Sequence, residues 1–167
     1  MLGTIFSFAP DYPVFRTSGV PVLFMITKEI KYNTVEYTES LGLRSDILRV
    51  PLGKELSNSD TLGEESQLHF GCFMGDQLKG CIVAKPTESE TQVKLRQMAI
   101  ATSFQGQGAG KRLVLDFELF LKKKGVKKIE LSARGTAVSF YEKLGYGVVD
   151  EFYLEQGIEH IKMQKII

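Results

Sequence analysis

The sequence has few residues of the types that bind metals, and it has no excess of charge. It contains two cysteines and two histidines in 167 residues, without the spacing or the Cys/His cluster of a zinc site. The formal net charge of +1 gives no reason to expect nucleic acid or an anionic membrane as a partner. No apolar run is long enough to span a bilayer. We therefore expect no metal, no nucleic acid and no membrane partner.

The two cysteines lie in a predicted hairpin whose turn is Gly75-Asp76. That turn places Cys72 opposite Lys79. It places Cys81 opposite Phe70. Because the cysteines are not cross-strand partners, we expect free thiols and a reducing cytoplasm rather than a disulfide.

The first part of the chain has no clear hydrophobic period. Residues 1–21 lack the basic segment that begins a signal peptide, so we do not predict export. The run Ile-Thr-Lys-Glu-Ile after Met25 is typical of a first strand. We predict an extension at 1–21 and a single domain at 22–167. The alternative is that the first residues are an ordinary strand or arm packed on the core.

Hydrophobic periodicity predicts an alternation of strands and helices along the rest of the chain. The predicted helices are Tyr32–Leu43 with N-cap Asn33 and an end at Gly42, a helix starting at Lys111, and Thr136–Leu144. A short helix or turn is predicted at Ser45–Val50. The predicted strands after the first are Leu68–Met74, Gln77–Lys85, Val93–Ile100, Lys128–Ala133, Val148–Leu154 and Ile158–Ile166. The polar segment 54–67 is predicted to be a mobile loop.

The strand at 92–100 changes its hydrophobic phase part-way. Val93 and Leu95 carry the apolar pattern first, and Met98 and Ile100 continue it on the opposite parity. A one-residue slip turns every following side chain to the other face, so a β-bulge near Gln97–Met98 is one explanation. Burial on both faces of the strand is the other.

A glycine-rich loop follows this strand and precedes an apolar helical pattern. Glycines let backbone N–H groups approach a ligand, and a helix N-terminus favours negative charge, which together predict a phosphate site. A Walker-type loop is excluded because only three residues separate Gly106 from Gly110. A Rossmann fingerprint is excluded because Gly108 gives the spacing G-x-G-x-G. A glycine-rich turn without a ligand remains the alternative.

Two motifs, in order, resemble those of the GNAT superfamily of N-acetyltransferases. The first resembles the family's acyl-CoA pyrophosphate loop, Q/R-x-x-G-x-G/A, and comprises Gln105, Gly106, Gln107, Gly108, Ala109 and Gly110. The second, within Ala133–Val149, resembles A-x-x-F/L-Y-x-K-x-G-F/Y and comprises Ala137, Phe140, Tyr141, Lys143, Gly145 and Tyr146. The resemblance covers roughly Leu68 to Ile167.

The resemblance implies an α/β fold of the α+β type. Its central sheet is mixed and mostly antiparallel, contains a parallel pair of splayed strands, and is flanked by helices. The implied activity is transfer of an acetyl group from acetyl-CoA to a primary amine of a small molecule or a protein. A homodimer is compatible with the resemblance. The competing functions are an inactive protein that binds acyl-CoA and a plain nucleotide-binding module.

The resemblance also assigns the cofactor site. Main-chain groups of Met98 and Ile100 would bond the pantetheine, which would complete the splayed pair like an added strand. N–H groups of Gln105–Gly110 and the helix at Lys111 would bind the pyrophosphate. Many members of the family have Asn at the position of Arg134. The Arg134 side chain would reach a phosphate or the pantetheine of the cofactor, or it would be exposed to solvent.

The resemblance makes Tyr141 the general acid near the CoA sulfur. The alternative is that Tyr141 packs on the core as a helix-face aromatic residue. The general base is not identified, because the chain has no Glu or Asp between Gln92 and Phe104. The candidates are Glu36, His69, Glu151, His160 and a water molecule on Gln97.

Overall fold

The computed structural model describes residues 25–155 and 157–167, so the predicted extension at 1–21 lies outside the described residues. The strands in this part are β1 (Met25–Ile30), β2 (Leu68–Met74), β3 (Gln77–Pro86), β4 (Gln92–Ile100), β5 (Lys128–Arg134), β6 (Gly147–Val148), β7 (Tyr153–Glu155) and β8 (Ile158–Ile166). The α-helices are α1 (Val35–Leu48), α2 (Asn58–Thr61), α3 (Ala109–Lys123) and α4 (Val138–Glu142).

The strands form one mixed sheet. Its order is β1-β2-β3-β4-β5-β8-β6, and β7 pairs with β8. β4 and β5 run parallel, and the other pairs among the described strands are antiparallel. A parallel pair needs a long crossover, which α3 supplies. The predicted mostly antiparallel sheet with one parallel pair and flanking helices is therefore confirmed.

Helices cover both faces of the sheet. The first, here called the α3 face, has a core in which α3 contributes Leu113 and Phe117, and β4 contributes Val93 and Leu95. The opposite face, here called the α1 face, has a smaller core around Ile30 and residues of β2, β3 and α1. None of the helices in the described ranges combines the length and apolar character needed to cross a membrane.

The prediction that the first helix ends at Gly42 is wrong. α1 continues through Gly42 to Leu48, because residues beyond the glycine pack against the α1 face and Arg44 is fully buried. This packing outweighs the low helix propensity of glycine. The N-cap is Thr34, whose hydroxyl accepts a hydrogen bond from the Tyr37 N–H at 3.3 Å, and not Asn33 as predicted.

The prediction of a loop at 54–67 is wrong in its secondary structure. α2 begins with a capping box in which the Ser57 N–H donates to the Asp60 carboxylate at 2.9 Å. A 3₁₀ turn follows at Glu64–Ser66, and Glu64 is fully buried although it is charged. Arg44 on α1 compensates that charge. The polar composition of segment 54–67 therefore did not indicate that it forms a helix and a 3₁₀ turn packed against the domain.

The hairpin of β2 and β3 forms around Gly75-Asp76 as predicted, with a register that differs by one residue. A bulge shifts the pairing, so that Cys72 lies opposite Gly80 and Cys81 opposite Gly71. Both cysteines are free and buried, as their predicted separation implied. Burial raises the pKa of Cys72 to about 11 and that of Cys81 to about 12.

The last third of the chain differs from the prediction in two details. The predicted helix 136–144 is a 3₁₀ turn at Gly135–Ala137 followed by the shorter α4, which ends before Gly145. The predicted strand 148–154 is two short strands, β6 and β7, separated by residues 149–152. These residues cross the α1 face, where the Tyr153 hydroxyl donates to Ser132 Oγ at 2.7 Å.

Candidate functional site

A bulge interrupts β4 in the middle of the sheet. Cys81 pairs with Ala99 and Val83 pairs with Arg96, so two residues of β4, Gln97 and Met98, lie opposite one residue of β3. The bulge explains the change of hydrophobic phase. Met98 packs against the α3-face core, and Ala99 belongs to the α1-face core. The predicted bulge near Gln97–Met98 is confirmed.

β4 and β5 separate at this bulge. Their parallel pairing extends from Gln92 and Lys128 to Leu95 and Leu131 and no further among the described residues. Both strands continue beyond that point, β4 to Ile100 and β5 to Arg134. The facing main-chain groups of the two strands are therefore not paired with each other. An extended ligand can lie in such an opening and pair with strand main chain.

The glycine-rich loop lies at the end of β4 beside this opening. A 3₁₀ turn at Thr102–Phe104 leads into it, and the Gln105 amide fastens it by donating to the Ile100 carbonyl at 2.9 Å. Gly108 is the N-cap of α3 with φ 85°, a left-handed conformation that favours glycine. α3 begins at Ala109, two residues before the predicted start at Lys111.

The first turn of α3 provides the features of an anion site. The first N–H groups of a helix have no partner within it, and the helix dipole adds partial positive charge. Gln107, Ala109 and the exposed Lys111 lie in or next to this turn, as predicted. A Cβ at Gly110 would lie 3.2 Å from Met98 Cε, so glycine permits close approach of α3 to the bulge.

Tyr141 lies on α4, next to the bulge residue Met98. Its side chain is buried, and its hydroxyl donates to Met98 Sδ at 3.6 Å. Burial raises the pKa of Tyr141 to about 12, so its phenol is protonated at neutral pH. A thioether sulfur is a weak acceptor, which leaves the hydroxyl able to donate to a stronger one.

α2 covers the bulge from the α1 face, a feature that the sequence interpretation missed. The Asp60 carbonyl accepts hydrogen bonds from Arg96 Nη2 and Gln97 Nε2, both at 3.0 Å. The Asp60 carboxylate is bound by Arg49 at 2.6 Å, and this hydrogen bond holds the pKa of Asp60 well below its usual range. The spacing Ser57-x-x-Asp60 was the available signal, since it is that of a capping box.

The comparison with known sequences identifies the family. The family described as acetyltransferase (GNAT) domain matches residues 51–167 of the chain. The chain belongs to the GNAT family of acetyltransferases. The Bacillus subtilis (strain 168) protein YyaT is 32% identical over 133 residues, which are 77% of this chain and 88% of YyaT.

Solved structures of other proteins share the fold. Escherichia coli ElaA superimposes with a TM-score of 0.74 at 19% identity, covering 85% of this chain and 99% of ElaA. An aminoglycoside 6'-N-acetyltransferase complexed with coenzyme A gives a TM-score of 0.70 at 22% identity, covering 85% of this chain and 97% of that chain. At these identities the likeness establishes the fold alone.

Arg134 is the predicted cofactor residue that the structure does not bring to the loop. It lies at the end of β5, next to Ala133, whose side chain is in the α3-face core. The guanidinium is on the α1 face, where Nη2 donates to the Leu48 carbonyl at 3.4 Å. Its role toward the cofactor of a GNAT domain stays a prediction.

The candidate bases of this GNAT domain are dispersed. Glu36 is paired with Lys28 at 2.6 Å at the start of α1. His69 is buried beneath α1 with Nε2 2.9 Å from the Glu64 carbonyl, and burial lowers its pKa. His160 Nδ1 lies 2.9 Å from the Ile158 carbonyl. None of these contacts brings a base to the bulge, and Glu151, the remaining side-chain candidate, lines an open cavity beside β4.

An open cavity of about 460 Å³ lies beside the part of β4 that is paired with β5. It is lined by Lys94, Asp150, Glu151, Phe152, Tyr153, Glu155 and Lys162. Lys94 is on the same strand as Gln97, three residues away, which is about 10 Å along a strand. In the described ranges, no group of three or more His, Cys, Asp or Glu side chains is arranged to hold a metal ion.

Proposed function

We propose that this GNAT protein is an acetyl-CoA-dependent N-acetyltransferase that acts on a primary amine of a small molecule or a protein. The observation that carries the proposal is the opening between β4 and β5 beside the N-terminus of α3. Together they offer unpaired strand main chain to the pantetheine and helix N–H groups to the pyrophosphate. The coenzyme A in the aminoglycoside 6'-N-acetyltransferase structure supports this donor.

The proposed donor site uses residues from both ends of the opening. Main-chain groups of Met98 and Ile100 bond the pantetheine and the acetyl carbonyl, and the loop Gln105–Gly110 with Lys111 binds the pyrophosphate. Tyr141 protonates the departing thiolate, because its neutral phenol lies next to the bulge. The acceptor approaches the bulge from the α1 face, because the core closes the α3 face. The intact phenol favours an enzyme over an inactive acyl-CoA-binding protein.

The first prediction tests the donor site. Gly108→Asp places a negative charge at the N-cap of α3 and should weaken acetyl-CoA binding at least about tenfold, by repulsion of the pyrophosphate. Isothermal titration calorimetry measures the affinity. Gly110→Asp should act in the same direction, but its Cβ also crowds Met98, so Gly108 is the cleaner site.

Gly125→Asp is the matched control for Gly108→Asp. Gly125 lies just beyond the other end of α3, has φ 86°, and has open space around its Cβ. The substitution therefore introduces the same charge and a similar backbone strain away from the proposed site. Equal acetyl-CoA affinity in both variants would contradict the placement. Thiol release from acetyl-CoA with a panel of amines separates an enzyme from an acyl-CoA sensor.

A further inference from the structure

Gln97 combines two unfavourable features at the point where the strands part. Its φ is 50°, in the left-handed region that residues with a Cβ seldom adopt. Its amide oxygen, Oε1, is buried and has no hydrogen-bond partner among residues 25–155 and 157–167. Native proteins seldom leave a buried polar atom without a hydrogen bond, so each such atom calls for an explanation. Strained backbone conformations concentrate at functional sites.

The contacts of Gln97 fix the direction of its amide. Nε2 donates to the Asp60 carbonyl at 3.0 Å, and since a carbonyl can only accept, the other amide atom is the oxygen. Arg96 Nη2 donates to the same carbonyl at 3.0 Å. The contact with α2 therefore explains the position of Nε2, and Arg96 makes the same contact. It does not explain why Oε1 is buried without a hydrogen-bond partner.

The side chains of the two bulge residues lie on opposite faces of the sheet. Met98 contacts the Tyr141 hydroxyl and approaches Gly110 on the α3 face. Gln97 contacts α2 on the α1 face. The α3 face is closed by its core. Because the proposed function places the acetyl group at the bulge, an amine that attacks it meets the two bulge residues, and of these Gln97 has the unpaired polar atom.

We propose that Gln97 Oε1 accepts an N–H hydrogen bond from the acceptor amine and orients its nitrogen toward the thioester carbonyl. The inference rests on the proposed function, since it places the acetyl group at the bulge. The amine nitrogen forms the bond to the carbonyl carbon, the C–S bond breaks, and its electron pair stays on sulfur. The thiolate takes a proton from Tyr141, the nitrogen loses one to water, and the Tyr141 phenolate regains a proton from water. The neutral amide of Gln97 takes up no proton.

The second prediction concerns two substitutions of Gln97. Gln97→Met keeps the length of the side chain and removes the amide, and Gln97→Gly also relieves the left-handed φ. Both should lower kcat/KM for the amine about tenfold, the effect of one lost hydrogen bond. The acetyl-CoA affinity should stay within about twofold. The probes are butylamine, ethanolamine and lysine, with thiol release as the measurement.

Arg96→Met is the matched control, because it removes the other hydrogen bond to the Asp60 carbonyl and leaves Oε1 in place. It should lower kcat/KM less than Gln97→Met does. Gln97→Met and Arg96→Met should have similar melting temperatures, since each loses one hydrogen bond to the Asp60 carbonyl. A purely structural role of Gln97 predicts equal losses of kcat/KM in the two variants, whereas the proposal predicts the larger loss in Gln97→Met.

Each other outcome is decisive. Unchanged kcat/KM in Gln97→Met overturns the role of Gln97 and leaves the proposed function intact. An equal loss in Arg96→Met shows that Gln97 acts through α2 alone and also overturns it. Absence of turnover by wild type with every amine overturns the proposed function and this inference together. If Gln97→Met does not fold, Gln97→Gly decides, because glycine suits the bulge.

Discussion

At the scale of single residues, Tyr141 is a side chain whose hydroxyl can be removed without disturbing the packing of its ring. Its ring packs edge-to-face on Phe140 and Tyr146, with centroids 5.0 and 5.5 Å away. These contacts belong to the ring, whereas the hydroxyl makes a single weak contact with Met98 Sδ. Tyr141→Phe therefore removes the proposed acid and keeps the packing.

The third prediction is a loss of turnover in Tyr141→Phe. Proton donation by a positioned side chain contributes about 10²–10⁴-fold, so kcat should fall by about that factor. Acetyl-CoA affinity and stability should be nearly unchanged, which is the signature of an interaction made mainly in the transition state. Steady-state kinetics on an accepted amine, with calorimetry for acetyl-CoA, provides the measurement.

The pKa of Tyr141 adds a second readout. Burial raises the pKa to about 12, so the phenol loses its proton only well above neutral pH. The kcat of wild type should therefore show no decline caused by Tyr141 between about pH 7 and pH 10. Full turnover in Tyr141→Phe would make this residue a packing residue, with water as the proton donor to the thiolate.

At the scale of elements, a buried ion pair joins α1 to the segment before β2. Arg44 donates to both carboxylate oxygens of Glu64, at 2.8 and 3.0 Å, and both side chains are fully buried. The Tyr37 hydroxyl also donates to Glu64 at 2.9 Å. Burial, with Glu64 beside it, raises the pKa of Tyr37 above its usual range. The pair thus positions α1 and, through the same segment, α2 over the bulge.

The fourth prediction concerns this pair. Glu64→Gln leaves the Arg44 charge buried without its counter-charge and should reduce the free energy of unfolding by about 3–5 kcal/mol. The double variant Arg44→Met/Glu64→Met should lose less than Glu64→Gln, because no charge remains buried. Urea unfolding measures both. Asp150→Asn, which breaks an exposed ion pair with Lys162, is the control and should be nearly neutral.

A double variant less stable than Glu64→Gln would show that the pair stabilises through its own attraction rather than by avoiding an unpaired charge.

This buried pair also shows a limit of what the sequence alone could predict. Glu64 is an ordinary charged residue in a polar segment and Arg44 one in a helix, and nothing local predicts that they meet. Long-range packing decided both the length of α1 and the structure of 54–67.

Local patterns predicted the elements around the proposed donor site much better. The phase change between Leu95 and Met98 located the bulge, because side-chain parity in a strand has a period of two. The spacing of Gly106 and Gly108 located the turn into α3. The contacts of Gln97 with α2 could not be predicted, because they depend on the chain path of a segment that was interpreted as a loop.

At the scale of the whole molecule, the described residues form one sheet with a core on each face. β1 pairs with β2 along its full length, from Met25 to Ile30, and Ile30 is buried in the α1-face core. The GNAT family match covers 51–167. The first strand is therefore an integral part of the fold, although it precedes the matched region.

The fifth prediction follows from this arrangement and concerns the proposed boundary at residue 22. A variant that lacks residues 1–21 should keep its melting temperature within about 3 °C, which corresponds to roughly 1 kcal/mol for a domain of this size. Its acetyl-CoA affinity should also be unchanged, because the loop Gln105–Gly110 and the β4–β5 opening lie within 22–167. Removal of 1–30 is the control: it deletes β1 with Ile30 and should cost much of the stability. A large loss in the shorter truncation would show that residues 1–21 are an arm of the domain itself, and that the domain begins before Val22.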